Sequence, residues 1–155
     1  TGSLLLARAD VPDVGSNLGF LDLLKAKQYR KVYLMLGVNE CGGDLDVIAT
    51  RYLDKLNIIK ELEPNAVIYV CGNLHVTKAR SDTDAYCNNV RLNTLNEKIA
   101  AFADETTVFY IDVNPVFDDA DGALSEEYAW DNAHPKAESY ADWYNFLLTH
   151  AHTEY

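Results

Sequence analysis

An Asp and a His three residues apart, Asp131 and His134, stand in the run Trp130-Asp131-Asn132-Ala133-His134-Pro135 near the end of the chain. On a loop, that spacing lets an imidazole take and return a proton while the carboxylate fixes its tautomer and stabilises the imidazolium. This is the acid–base half of a hydrolytic triad. Alone the pair says little: with 4 His in the chain, a D-x-x-H string arises by chance in roughly one sequence in four. Asn39 is a second chemical candidate. A side-chain amide just beyond a strand end can donate to a developing oxyanion, and losing one such donor typically costs ~2.7–4 kcal/mol of barrier. Gly37, two residues earlier, lets the backbone approach a substrate closely. The plainer reading of Asn39 is a turn ahead of Gly42 and Gly43.

The elements that must position these groups follow from hydrophobic spacing. Val32–Leu36 is a continuous apolar run, as in a strand covered on both faces, and it ends in the glycine-rich segment that holds Asn39. Asp44 is placed to cap a helix with apolar positions Leu45, Ile48, Tyr52, Leu56 and Ile59, stopped by Pro64-Asn65. Ala66–Cys71 is a second strand, followed by a polar loop to about Asp84 that carries His75, Lys78 and Arg80. A third helix aligns Leu92, Leu95, Ile99 and Phe102, and Val108–Val113 is a third strand. An irregular acidic stretch then leads to the Asp131/His134 loop. A final helix from about Lys136 is expected to bury Tyr140, Trp143, Tyr144 and Leu147. Upstream, Leu4–Leu6 reads as a short strand. Ser16 or Asn17 is expected to cap a helix with Leu18, Leu21 and Leu24 on one face. Strands alternating with amphipathic helices imply a parallel sheet covered on both faces, with ligands at the carboxyl ends of the strands. That rule gathers the Asn39 loop, the loop after Cys71 and the Asp131/His134 loop at one edge.

At 155 residues the chain fits one domain. A net charge of −11, spread along the sequence, argues against nucleic acid and anionic membrane surfaces, which need Lys and Arg. No apolar run approaches the ~20 residues of a membrane span. The opening TGSLLLARAD has no basic stretch ahead of its apolar run, so it does not read as an intact signal peptide. Cys41, Cys71 and Cys87 fit no zinc spacing. Cys71 reads as a small buried hydrophobe, no essential disulfide is expected, and the compartment stays undetermined.

The run KVYLMLGVNECG, then VIYV, then YIDVNPVFDDADGALSEEYAWDNAHP resembles the SGNH (GDSL-type) hydrolases, and more closely the bacterial GDSL-like lipase/acylhydrolase domains, over roughly residues 20–150. The resemblance implies a flavodoxin-like three-layer α/β/α fold and a serine esterase needing no metal or organic cofactor. By position, His134 would be the general base and Asp131 its orienting acid. Asn39, Gly37 and Gly2 would supply the oxyanion hole. Glu40 and Asn132 depart from the family pattern in minor ways. The serious departure is that the chain has no Gly-Asp-Ser block. Thr1-Gly2-Ser3 is the nearest string, but no strand precedes it. The expectation is a single domain, residues 1–155, that is N-terminally incomplete and lacks the first central strand. The nucleophilic Ser and that strand would come from an upstream segment or a separate chain.

Around this frame, Tyr128 and Trp130 are candidate walls for an acyl or sugar pocket. His75, Lys78 and Arg80 are candidate substrate contacts on a loop that reads first as solvated. Asp112 earns attention by position alone, and His150 and His152 read as solvated tail residues. The expected function is hydrolysis of small acyl esters, such as acetyl esters on carbohydrates. The rivals are an inactive binding module of the same fold and a flavodoxin-like ligand-binding domain, though no convincing phosphate loop is present.

Overall fold

The computed structural model describes residues 8–151. Within that range the chain begins with an antiparallel hairpin, β1 (Arg8–Val11) and β2 (Gly15–Gly19), followed by α1 (Phe20–Ala26). The helix expected to start at Ser16 or Asn17 is thus a strand at that point. Asn17 adopts φ 53° and its N–H donates to Asp10 Oδ1 at 2.8 Å, a local polar bond that closes the hairpin instead of opening a helix. The helix starts one step later, where the Gly19 N–H donates to Asp22 at 3.2 Å. The short strand expected at Leu4–Leu6, and Gly2, lie outside the described residues.

β3 (Lys31–Leu34), α2 (Leu45–Leu62), β4 (Val67–Cys71), α3 (Lys78–Thr83), α4 (Asn89–Ala100) and β5 (Val108–Ile111) follow, then a short α5 (Asn114–Phe117) and α6 (Tyr140–His150). Among the described residues β3, β4 and β5 form a parallel sheet in that order, with Val32, Ile68 and Val108 in register and Tyr33, Tyr69 and Phe109 in the next row. Alternation sends the two rows to opposite faces. Val32, Leu34, Ile68, Val70 and Val108 pack with Leu24 of α1, Ile48, Tyr52, Leu56 and Ile59 of α2, and Leu95 and Ile99 of α4. Tyr69 stacks between Tyr33 and Phe109, at ring separations of 4.8 and 5.9 Å, and joins the cluster of Phe117, Trp143, Phe146 and Leu147 on the other face. The result is the expected α/β architecture, with helices on both sides of a parallel sheet.

Asp44 caps α2 as expected, accepting from the N–H groups of Asp46 and Val47. Three expectations need correction. In α6, Tyr140 and Tyr144 are exposed by 54% and 63%. The 3-10 turn Ala137–Ser139 precedes the helix and rotates the inward stripe onto Trp143, Phe146 and Leu147, leaving Tyr140, Tyr144 and Leu148 outward at four-residue spacing. The loop after β4 is not solvated: residues 72–77 are all buried, and Lys78–Thr83 is helical. Side-chain amides make that burial affordable. Asn96 bonds both N–H and C=O of Asn73, Asn89 does the same for Val76, and Asn114 Oδ1 accepts from the His75 N–H. Finally, Cys41 and Cys87 form a disulfide across 46 residues, with Cα atoms 5.6 Å apart. Folding presses the glycine-rich segment after β3 against the segment before α4, a proximity that sequence spacing does not reveal. Cys71 is buried and free, its thiol pushed up to about 12 by burial.

Candidate active site

Asp131 and His134 occupy the tip of a narrow loop. Its arms are joined by the Ala129–Pro135 bridge, by Trp130 N–H donating to His134 O at 2.8 Å and by Lys136 N–H donating to Tyr128 O at 2.7 Å. Across the tip Asp131 Oδ1 accepts from the N–H groups of Ala133 and His134, both at 2.8 Å, while Oδ2 lies 2.9 Å from His134 Nδ1. The bond from His134, then those two backbone N–H groups, pull the Asp131 pKa down to about 2. The carboxylate is therefore ionised across the neutral range and holds Nδ1 in the protonated form. Nε2 of His134 has no hydrogen-bond partner among the described residues. The tip is also anchored from below. Thr77, fully buried, donates its N–H to Asn132 O at 3.0 Å and its hydroxyl to Asn132 Oδ1 at 3.3 Å.

Asn39 is the middle residue of the 3-10 turn Val38–Glu40 that follows β3. The turn needs glycine at its entry: Gly37 has φ 129°, and a Cβ there would stand 2.8 Å from Leu95 Cδ2. Its exit is clamped by the Cys41–Cys87 disulfide, by Arg91 Nε donating to Cys41 O at 2.8 Å, and by Arg91 Nη2 donating to Gly43 O. The Asn39 amide makes no hydrogen bond among the described residues. Asn39 and His134 line one cleft of about 330 Å³, together with Val38, Gly42, Arg80, Tyr86, Ala133 and the disulfide. An imidazole with an unbonded nitrogen and an unbonded side-chain amide thus belong to residues of one cavity, two of the groups acyl transfer uses besides its nucleophile.

The other candidates are placed differently. Tyr128 packs edge-on against Phe117, with ring centroids 5.4 Å apart, and Trp130 is 78% exposed; neither lines the cleft. Asp112 accepts from the Asn114 N–H and amide at 3.1 and 2.9 Å, a local turn bond. His75 is only 8% exposed. Its Nδ1 lies 2.8 Å from Asp118 Oδ2 and its Nε2 2.8 Å from Asn93 Oδ1, so it is a buried polar pin between α4 and the end of α5, and it does not line the cleft. Sequence reading missed Thr77 and Tyr86. Thr77 carried a usable signal, a Thr just ahead of a helix start, and its hydroxyl does accept from the Arg80 N–H. Among the described residues no three His, Cys, Asp or Glu side chains cluster as a metal ion would need.

No described serine lines the cleft. Ser16 belongs to β2, Ser81 Oγ accepts from the Asn89 N–H, Ser125 Oγ from the Glu127 N–H, and Ser139 is buried at the start of α6.

Comparison with known proteins bears on the fold and on the family. A Streptococcus pneumonia protein named for platelet activating factor superposes with a TM-score of 0.71 at 20% identity, covering 83% of this chain and 64% of that one. A GDSL-like lipase from Bacteroides thetaiotaomicron gives 0.65 at 16%, covering 84% and 64%. A peptidoglycan O-acetylesterase gives 0.60 at 21%, covering 84% and 41%. The chain thus spans under two thirds of the length of each. No curated protein matches the chain significantly. The family model for GDSL-like lipases and acylhydrolases matches residues 7–141, a span that takes in the Asn39 turn, the Thr77 anchor and the Asp131/His134 tip. With that match over most of its length, the chain belongs to the GDSL-like lipase/acylhydrolase family.

Proposed function

We propose that this domain carries the base, the orienting acid and an oxyanion donor of a serine esterase acting on small acyl esters, such as acetyl groups on carbohydrates. The observation that carries this reading is the shared cleft: His134, with Nδ1 held by Asp131 and Nε2 free, opens onto the same cavity as the unbonded amide of Asn39. The nucleophile is a serine from outside these 155 residues, supplied by an upstream segment or a separate chain that also adds a central strand. The missing Gly-Asp-Ser block supports this placement.

In the first step the serine Oγ attacks the ester carbonyl carbon and its proton passes to His134 Nε2. The carbonyl oxygen becomes an oxyanion that accepts from the Asn39 amide and nearby backbone N–H groups, Gly37 and Gly2 among the candidates. The C–O bond to the alcohol then breaks, and His134 returns the proton to the leaving oxygen. Water repeats the sequence on the acyl-serine and releases the acid. Asp131 keeps its charge throughout and stabilises the imidazolium. No cofactor enters the scheme.

The test is hydrolysis of p-nitrophenyl acetate by the full-length protein. His134→Ala, at a largely exposed side chain, is expected to leave folding intact and lower kcat by at least about 10³-fold. Unchanged turnover in that variant would remove the reading. The absence of a described serine on the cleft favours one rival, an inactive binding module. That rival predicts no hydrolysis by the full-length protein at all.

A further inference from the structure

Two side chains that the proposed chemistry leaves unused share the cleft with His134. Arg80 is the one permanently charged residue of the lining, which contains no carboxylate, in a chain of net charge −11. Tyr86 stands at the rim with 72% of its surface exposed. Both are held by the same carboxylate. Asp84 Oδ2 pairs with Arg80 Nε at 3.5 Å, and Asp84 Oδ1 accepts from the N–H groups of Tyr86 and Cys87 at 2.8 and 3.0 Å. Neither Nη of Arg80 makes a hydrogen bond among the described residues. Arg80 also rides on the helix capped by Thr77, the residue that anchors Asn132 between Asp131 and His134. A single buried residue therefore ties the backbone at Arg80 to the backbone between Asp131 and His134.

We propose that Arg80 and Tyr86 form a subsite beside His134 for the anion and the ring of an acidic saccharide, so that the substrate is a short-chain ester of a charged sugar. This rests on the esterase reading above and names its substrate class. The planar guanidinium offers two Nη donors, the geometry that suits a carboxylate or phosphate. The exposed phenol ring offers an apolar face with a polar tip, suited to the C–H face of a pyranose. The acyl side must be short. The cleft formed by the described residues holds about 330 Å³, and besides the Tyr86 ring its apolar lining is Val38, Ala133 and the disulfide, which suits a short acyl group.

The experiment compares three acetyl esters with the full-length protein: acetylated methyl glucuronoside, acetylated methyl glucoside, and acetylated methyl glucoside 6-phosphate. One charge-assisted pair predicts a kcat/KM for the charged esters about tenfold above the neutral one, expressed in KM and shrinking at high ionic strength. Arg80→Gln is expected to bring that ratio close to one, and Tyr86→Phe to preserve it. A phosphate ester preferred over the glucuronoside still supports the anion subsite and assigns its source. Equal rates for charged and neutral esters in the wild type would overturn it, as would an Arg80→Gln variant that slows all three alike. If no ester turns over, the esterase reading falls separately. The subsite is then decided by NMR titration of the Arg80 Nε–H and Tyr86 ring signals with methyl glucuronoside against methyl glucoside. Shifts with the glucuronoside alone support it, and no shift removes it.

Discussion

Replacing His75 by Leu isolates the worth of a buried charge pair, because the two side chains are of similar size. His75 and Asp118 expose only 10% and 17% of their side chains and meet at 2.8 Å. Asp118 Oδ1 is buried without a partner, so the carboxylate depends on His75 for its compensation. Removing one partner from such a pair costs about 3–5 kcal/mol. At the sensitivity of a domain this size that is a fall of about 10 °C in Tm. The charge state gives the experiment its sharper arm. Burial by itself would lower the His75 pKa. The hydrogen bonds to Asp118 and Asn93, with the charges of Asp118 and Asp112, outweigh it and hold the imidazole above its usual value. A raised folded-state pKa contributes stability that is complete below the unfolded value of about 6.5 and is lost as pH rises through the folded one. The gap in unfolding free energy between wild type and His75→Leu, read from urea melts at a series of pH values, is therefore expected to be widest below about pH 6.5 and to narrow as pH rises through the raised folded-state value. A double variant, His75→Leu with Asp118→Leu, should recover part of the loss, since it strands no charge. A gap that stays flat with pH, or a double variant no better than the single, would refute the argument for a buried imidazolium.

Two further outcomes follow from the cleft. Asn39→Ala removes an amide that bonds nothing among the described residues. On the proposed esterase reading it should lower kcat of the full-length protein by about 10²–10³-fold while changing unfolding free energy by less than about 0.5 kcal/mol; steady-state kinetics and urea melts read the two separately. Opening the Cys41–Cys87 link, which closes 46 residues, should lower stability by about 2–4 kcal/mol. Because Cys41 ends the Asn39 turn, reduction should also broaden the Asn39 amide signals in NMR spectra, and a melt unchanged by reductant would count against a structural role.

Much of the architecture can be read from the sequence because one-dimensional spacing encodes it. The runs at Val32–Leu36 and Ala66–Cys71 contain the strands Lys31–Leu34 and Val67–Cys71 because they are apolar without interruption, and α2 is a helix because Ile48, Tyr52, Leu56 and Ile59 recur at its period behind the Asp44 cap. The pairing of Asp131 with His134 is local as well, three residues within one loop. What the sequence could not determine is how distant polar groups meet. The segment after β4 reads as solvated loop because its residues are polar, yet asparagines of α4 and Asn114 satisfy its backbone and bury it. Tertiary packing likewise turned His75 inward onto Asp118, joined Cys41 to Cys87, and rotated α6 away from Tyr140 and Tyr144. Only the folded chain sets Asn39, Arg80 and His134 around one cavity. Hydrophobic periodicity reports on an element's own faces, whereas a site is made where loops from different elements converge, and their contacts leave no period in the sequence.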